Sequence, residues 1–285
     1  MVGRGNNPSA FGRGILRTMR GSLKRFVALA TITALGVTML VGLRAACVDL
    51  RASADAFFDE QNLFDVRVQS TLGLTSEDVD ALAALPGVEA AEGGWVETVY
   101  TTVGSASEKV DVKALSPDGM NEPVVLEGHL PERDDQIAVT KRFLEDSGLY
   151  VGDTVTFHGA DDGTDGATEV FERKEYTIIA VVLDPMEINA GEGTMSFRSS
   201  GGSQYSFFVL PECVNDQQTY TVAYLSVEVA DAPLCYSAEY EDIVDEVYQG
   251  VEDARSERER ARGEGLRADA TAEVDEAEAE ALSEL

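Results

Sequence analysis

Cysteine is scarce in this chain. Its 285 residues hold three, Cys47, Cys213 and Cys235. An odd, sparse set is no disulfide framework. Cys213 and Cys235 could bridge two strands in an oxidising compartment. Free buried thiols are the expectation, because a free Cys packs as a small apolar residue. Histidine is scarcer still, with only His129 and His158. Each lies beside a turn, and neither has a Ser or Cys in a nucleophile elbow nearby, which argues against a hydrolytic enzyme. No Gly-x-x-x-x-Gly-Lys-Ser/Thr loop occurs, so the usual cradle for ATP phosphates is missing. Asp161, Asp162 and Asp165 cluster in ADDGTDGATE, but the spacing and terminal Glu of an EF-hand are not matched. A polar hairpin loop is expected there. The one tryptophan, Trp95, reads as core or as a subdomain contact.

Charge of one sign is missing in two places. Residues 1–25 carry Arg4, Arg13, Arg17, Arg20, Lys24 and Arg25 and no acid, and residues 26–43 carry no charge at all. The rest is acidic, so that 52 acids face 22 bases and the net charge is −30. A basic N-terminus on an acidic body excludes nucleic acid as the partner, since that requires a basic folded face.

The uncharged run Phe26–Leu43, FVALATITALGVTMLVGL, is 18 residues long. As a helix it rises about 27 Å, close to the hydrocarbon thickness of a bilayer. Thr31, Thr33 and Thr38 are tolerable there, because a helical hydroxyl can bond back to a carbonyl one turn earlier. A signal peptide has a shorter apolar region. A lipid anchor at Cys47 would have Arg44 where an apolar residue is expected. A retained transmembrane helix is therefore the expectation, with residues 1–25 cytoplasmic by the positive-inside rule and the main domain extracytoplasmic. Phe11, Ile15, Leu16, Met19 and Leu23 fall on one helical stripe with a basic opposite face. Such a leader suits an anionic lipid surface, a cytoplasmic partner, or simply a topology flank.

Beyond the membrane run, residues 45–62 read as a continuation of the helix. LFDVRVQS alternates as a strand. TSEDVDALAAL reads as a helix with Thr75 as N-cap and Asp78 three residues on, ended by Pro86–Gly87. Strands follow in VEAAEGGWVETVYTTV, KVDVKALS, DTVTFHG, RKEYTIIAVVLD, YSFFVLP and TYTVAYLSVEVA, with a Gly/Ser-rich loop in MEINAGEGTMSFRSSGGSQ. The expected fold class is α+β: one N-terminal transmembrane helix (26–43), a mixed α/β extracytoplasmic core domain (44–238) and an acidic C-terminal segment (239–285). In that last segment Tyr240, Val244, Val247, Val251 and Ala254 alternate at spacings of 4 and 3, a coiled-coil seam. A long helix that wants a partner is expected. The chain reaches Leu285 without a capping or closing element, so continuation beyond it is also expected.

The stretch Leu126 to Val155 reads LEGHLPERDDQIAVTKRFLEDSGLYVGDTV. Gly128 permits a turn and Pro131 stiffens its exit. Ile137–Thr140 reads as a short buried strand, Lys141–Ser147 as a short helix with Gly148 as its cap, and Gly152–Asp153 as a turn. Glu127, Gly128, Pro131, Ile137, Gly152 and Asp153, with the basic leader, the membrane helix and YTIIAVVLDP, carry a resemblance. Over roughly residues 10–235 the chain resembles the extracytoplasmic core domain of FtsX/MacB-type ABC transporter permeases. Their pattern is Glu-Gly-Arg-x-Pro, then Glu-Ile and an apolar strand, a short helix, and Gly-Asp before a strand. Here His129 stands for the Arg and Gln136 for the Glu.

The resemblance implies a permease component without cofactor or catalytic residues, driven by a separate ABC ATPase subunit and working as a homo- or pseudo-dimer in membrane lipid. The outer domain would couple ATP-driven motion to substrate export or force transmission. Such permeases have four or more membrane helices and some carry coiled-coil insertions; here one apolar span is present. The alternative is a single-anchor extracytoplasmic binding module.

Overall fold

A computed structural model of the chain describes residues 14, 17, 21–159, 170–171, 173–187, 203–215, 219–228, 230 and 234–283. Most of the leader stripe, the loop with Asp161, Asp162 and Asp165, and most of the Gly/Ser-rich loop lie outside these residues. Two compact units are present, Met1–Ala54 and Asp55–Leu285.

Helix α1, Leu23–Glu60, runs unbroken for 38 residues with none buried. Within it Leu29, Ile32, Leu35, Met39 and Leu40 are each about two-thirds exposed or more. A helix that is apolar all round needs an apolar surrounding. Its length and composition are enough to cross a membrane. Thr33 Oγ1 donates to the Leu29 carbonyl at 2.9 Å, the back-bond that makes a hydroxyl tolerable in such a segment.

The second unit contains β1 (Val66–Leu74), α2 (Ser76–Ala83), β2 (Val88–Gly94), β3 (Val96–Val103), β4 (Ala106–Ala114), β5 (Val124–Gly128), β6 (Gln136–Thr140), α3 (Lys141–Ser147), β7 (Thr154–Thr156), β8 (Glu175–Leu183), β9 (Tyr205–Val209), β10 (Tyr220–Val227) and α4 (Ala238–Ser283). The strands form a small sheet, β1-β10-β2, and a larger one, β3-β4-β9-β6-β8-β5, with β7 also on β8. The small sheet is antiparallel. In the large one β4–β9 and β6–β8 are parallel. Strand β8 reads EYTIIAVVL, a nearly continuous apolar run, as expected of a strand covered on both faces. Ile137, Val139, Phe143, Phe157, Tyr176, Ile178 and Phe207 fill one face of the large sheet, while Ala138, Ala180, Val182 and Phe208 fill the other.

Local sequence rules explain the short helices. Thr75 and Asp78 form a reciprocal capping box on α2. Helix α3 spans the expected residues and ends on Gly148 at φ 76, the left-handed cap. Helix α4 runs 46 residues, through Gly250, Gly263 and Gly265.

Two expectations change. Glu127 and Gly128 are not a free turn but the end of strand β5, paired with β8. The turn follows them. The seam of α4 is not left for a second helix over its first turns. Val247 is buried, and Tyr240, Val244 and Val251 pack with it against Leu82, Val66 and Leu225 of the same domain. The apolar spacing was a real signal, and its partner lies within the chain. None of the three cysteines is in a disulfide: Cys213 is buried, Cys235 half-buried and Cys47 exposed.

Candidate functional site

Five of the six motif residues converge on one segment of β8. On one side of it, Glu127 lies opposite Val181 and Gly128 opposite Ala180. On the other side, Ile137 lies opposite Ile178. The Gly152 N–H donates to the Ile178 carbonyl at 2.7 Å, and the Ile178 N–H donates to the Asp153 carbonyl at 2.9 Å. The Asp153 carboxylate in turn accepts from the Tyr150 N–H at 2.8 Å. Pro131 is buried in the connection between β5 and β6. The buried Gln136 accepts from the backbone N–H groups of Glu132 (2.9 Å) and Arg133 (3.2 Å). An amide oxygen meets that demand as a carboxylate would. His129 is exposed, its Nδ1 2.8 Å from the Leu130 carbonyl. This constellation clamps a strand, and no reacting pair occurs in it.

A second constellation escaped the sequence reading. Asp65 stands between α1 and β1. Its N–H donates to the Leu225 carbonyl at 2.9 Å. Its carboxylate accepts from the Val227 N–H at 2.8 Å and from the Tyr240 hydroxyl at 2.7 Å. Burial, then the bond to Asp65 and its charge, push the Tyr240 hydroxyl pKa well up. Nearby, Asp55 accepts from the Cys235 N–H at 2.5 Å. One carboxylate therefore ties the chain entering the small sheet to the strand leaving it and to the first turn of α4. Asp65→Ala leaves two donors without their acceptor, each costing about 1–3 kcal/mol. The expected loss of stability is about 2–4 kcal/mol, read as a lower urea midpoint and faster amide exchange at residues 227 and 240–247. An unchanged midpoint would show that Asp65 does not hold the junction.

Above this junction the small sheet meets the large one where β2 runs into β3. Trp95 is 8% exposed. Its Nε1 donates to the Thr219 carbonyl at 2.8 Å, and its ring lies 4.9 Å from that of Tyr220. It is both a core residue and the contact between the sheets. The β4–β5 connection reaches back as a clasp. The Asn121 N–H donates to the Asn62 carbonyl at 3.0 Å, and the Phe64 N–H donates to Asn121 Oδ1 at 3.0 Å. Ser116 Oγ donates to Glu92 at 2.6 Å. Burial, helped by Asp118, raises the Glu92 pKa against that bond.

Beside it, Lys113 of β4 is 5% exposed and Asp184 3%. They are 2.5 Å apart, with Glu187 3.6 Å from the same ammonium. Burial pushes the Lys113 pKa down, but the two carboxylates outweigh it and hold the ammonium above its ordinary value. A cavity of about 20 Å³ adjoins Lys113, Met186, Phe208 and Tyr224, room for about one water. Among the described residues no group of three or more His, Cys, Asp or Glu could hold a metal ion. His158 pairs by its backbone with Tyr100 and joins no such cluster.

No protein-family model matches the chain, and no curated protein does. Among solved structures it is similar to the extracellular domain of the noncanonic ABC-type transporter YknZ from Gram-positive bacteria. That likeness has 13% identity over 61% of this chain and 80% of the other, with a TM-score of 0.35. It is also similar to the periplasmic region of MacB from Actinobacillus actinomycetemcomitans, at 11% identity over 65% of this chain and 75% of the other, again with a TM-score of 0.35. Both scores fall below 0.5, so the functional reading rests on the chain's own residues.

Proposed function

We propose that the chain is the anchored outer part of an ABC transporter permease of the FtsX/MacB kind. Residues 1–25 are its cytoplasmic leader, 26–43 its membrane span, 44–238 its extracytoplasmic core and 239–285 an acidic helical extension. A separate ATPase subunit supplies the energy, and the permease works as a homo- or pseudo-dimer in the lipid. The domain then passes motion to a substrate or to a protein outside the membrane.

One observation carries this reading. The apolar run belongs to a single helix, Leu23–Glu60, that continues past it without a break. That helix ends five residues before Asp65, where the incoming strand, the outgoing strand and α4 are tied together. On this reading motion passes along the chain through that helix toward Asp65.

Co-purification tests it. The full reading frame, tagged and extracted from membranes in mild detergent, is expected to bring down an ATPase subunit in stoichiometric amount. Loss of that subunit on deletion of residues 1–25 would give the leader a docking role. Retention would leave the leader a topology signal. A tagged protein that carries no ATPase overturns the permease reading in favour of a single-anchor binding module.

A further inference from the structure

Acids outnumber bases 52 to 22 in this chain, yet one concavity departs from that balance. A cleft of about 600 Å³ opens between β1, α2 and the middle of α4. Arg67, Arg255, Arg258 and Arg262 line it, against Asp78, Glu252 and Glu259. Three of the 16 bases that follow the apolar run thus stand on the α4 side of the cleft, while the Arg67 guanidinium lies over the Tyr224 ring.

Three of these arginines stand at spacings of 3 and 4 on α4, so they share a helix face. Two are engaged with carboxylates. Arg258 holds Asp78 through Nε at 2.7 Å and Nη2 at 2.5 Å. Arg255 lies 2.7 Å from Glu259 and 3.6 Å from Glu252. Arg262 differs: its Nε and Nη2 both donate to the Leu72 carbonyl, at 3.3 and 3.2 Å. Among the described residues no carboxylate lies within ion-pair reach of it. A guanidinium fork on one neutral oxygen is set for a carboxylate or phosphate, which it binds through two stronger, charge-assisted bonds.

The carbonyl it holds is available to be released. Register between β1 and β10 is broken from Gln69 to Leu74, so Leu72 contributes nothing to that ladder. The cleft is otherwise mainly apolar, with Val68, Leu72 and Leu82 facing Val251. Leu72 is 51% exposed. Its volume falls in the range that encloses a small molecule.

From this we infer that the cleft binds a small amphiphile with one anionic group, the head on Arg262 and the chain along Val68, Leu72 and Val251. An acidic peptide is the poorer fit, because on α4 Arg262 alone of the three lining arginines lacks a carboxylate partner among the described residues, while Arg67 lies over the Tyr224 ring. The inference concerns the folded domain and holds whichever partner the anchor has.

Photolabelling tests it. The full chain is placed in nanodiscs of zwitterionic lipid and exposed to a diazirine-bearing decanoate, and the labelled peptides are mapped by mass spectrometry. Label on α1 reports partition into the bilayer and serves as the internal reference. Relative to it, labelling is expected within residues 68–74 and 248–262. Decanoate or decyl phosphate is expected to compete it away, the stronger of the two identifying the headgroup, whereas decanol and decyltrimethylammonium do not.

Arg262→Gln removes a charge-assisted pair and is expected to lower this labelling about tenfold or more. Arg260→Gln, an exposed arginine off the cleft, leaves it unchanged. Thermal unfolding of the Arg262→Gln chain should match the parent, which separates loss of binding from loss of fold. Equal competition by the cationic amphiphile, or full labelling of the Arg262→Gln chain, overturns the inference. So does competition by a glutamate-rich peptide alone, which would assign the cleft to a protein segment.

Discussion

Lys113→Met is expected to destabilise the folded domain by about 3–5 kcal/mol, the usual cost of removing one partner from a buried ion pair. The ammonium sits 2.5 Å from Asp184, and both residues are almost fully buried. Lys113 belongs to β4 and Asp184 follows β8, with β9 and β6 between those strands. The pair therefore spans the middle of the large sheet, with Lys113 Nζ 6.0 Å from the Phe208 ring centre. Without the lysine, Asp184 is a buried charge with only the Met186 N–H at 3.0 Å to satisfy it among the bonds described. Its neighbour Glu187 already has a pKa raised, chiefly by burial.

Because the lysine pKa is raised on folding, its contribution is complete below the ordinary value of 10.5 and fades as pH climbs past the raised one. Urea unfolding at neutral pH reads the full effect. Lys113→Met combined with Asp184→Leu should recover much of the loss, since an apolar pair of similar volume often replaces a buried ion pair without penalty. A single-mutant shift below about 1 kcal/mol would mean that water reaches Asp184.

Gly128→Ala is expected to cost about 3 kcal/mol or more, through two separate causes. Gly128 has φ 84, a region that L side chains resist. A Cβ there would stand 2.0 Å from the Ile179 carbonyl oxygen, on the strand it pairs with. Backbone cannot swing aside as a side chain end can, so β5 must leave β8. Gly152 is the control. Its φ of 102 is also left-handed, but a Cβ there meets nothing within 4 Å. Gly152→Ala is expected to cost about 1–2 kcal/mol, from the backbone alone. Urea midpoints with amide exchange across β8 distinguish the two. Equal costs would show that contact with Ile179 is relieved cheaply.

These residues also show what the sequence could disclose. The capping box of Thr75 and Asp78 was legible because its two members are three residues apart. Helix α3 and its cap Gly148 were legible for the same reason, as was β8 from its apolar run. Strand β5 was not. Four of its five residues are exposed, and it is a strand only because β8 lies beside it. The spacing from Tyr240 to Val251 revealed an apolar face on α4 but not what covers it. Asp65 and Lys113 each read as the polar member of an alternating strand. Their partners Val227 and Asp184 are 162 and 71 residues away, and no local rule connects them. The motif residues were visible as punctuation; that five of them meet on Ile178–Val181 needed the strand register.

The order β1-β10-β2 has a consequence for the chain's synthesis. Strands β1 and β2 do not touch each other as neighbours; both wait for β10. β10 begins at Tyr220, some 130 residues after β2 ends at Gly94. At 5–20 residues per second that is a delay on the order of 10 s. Throughout it the segment next to α1 has no sheet to join, and the large sheet stays divided into β3-β4 and β6-β8-β5 until β9, at Tyr205–Val209, joins them shortly before β10. The junction at Asp65, which needs Val227 and Tyr240, is thus among the last parts to close.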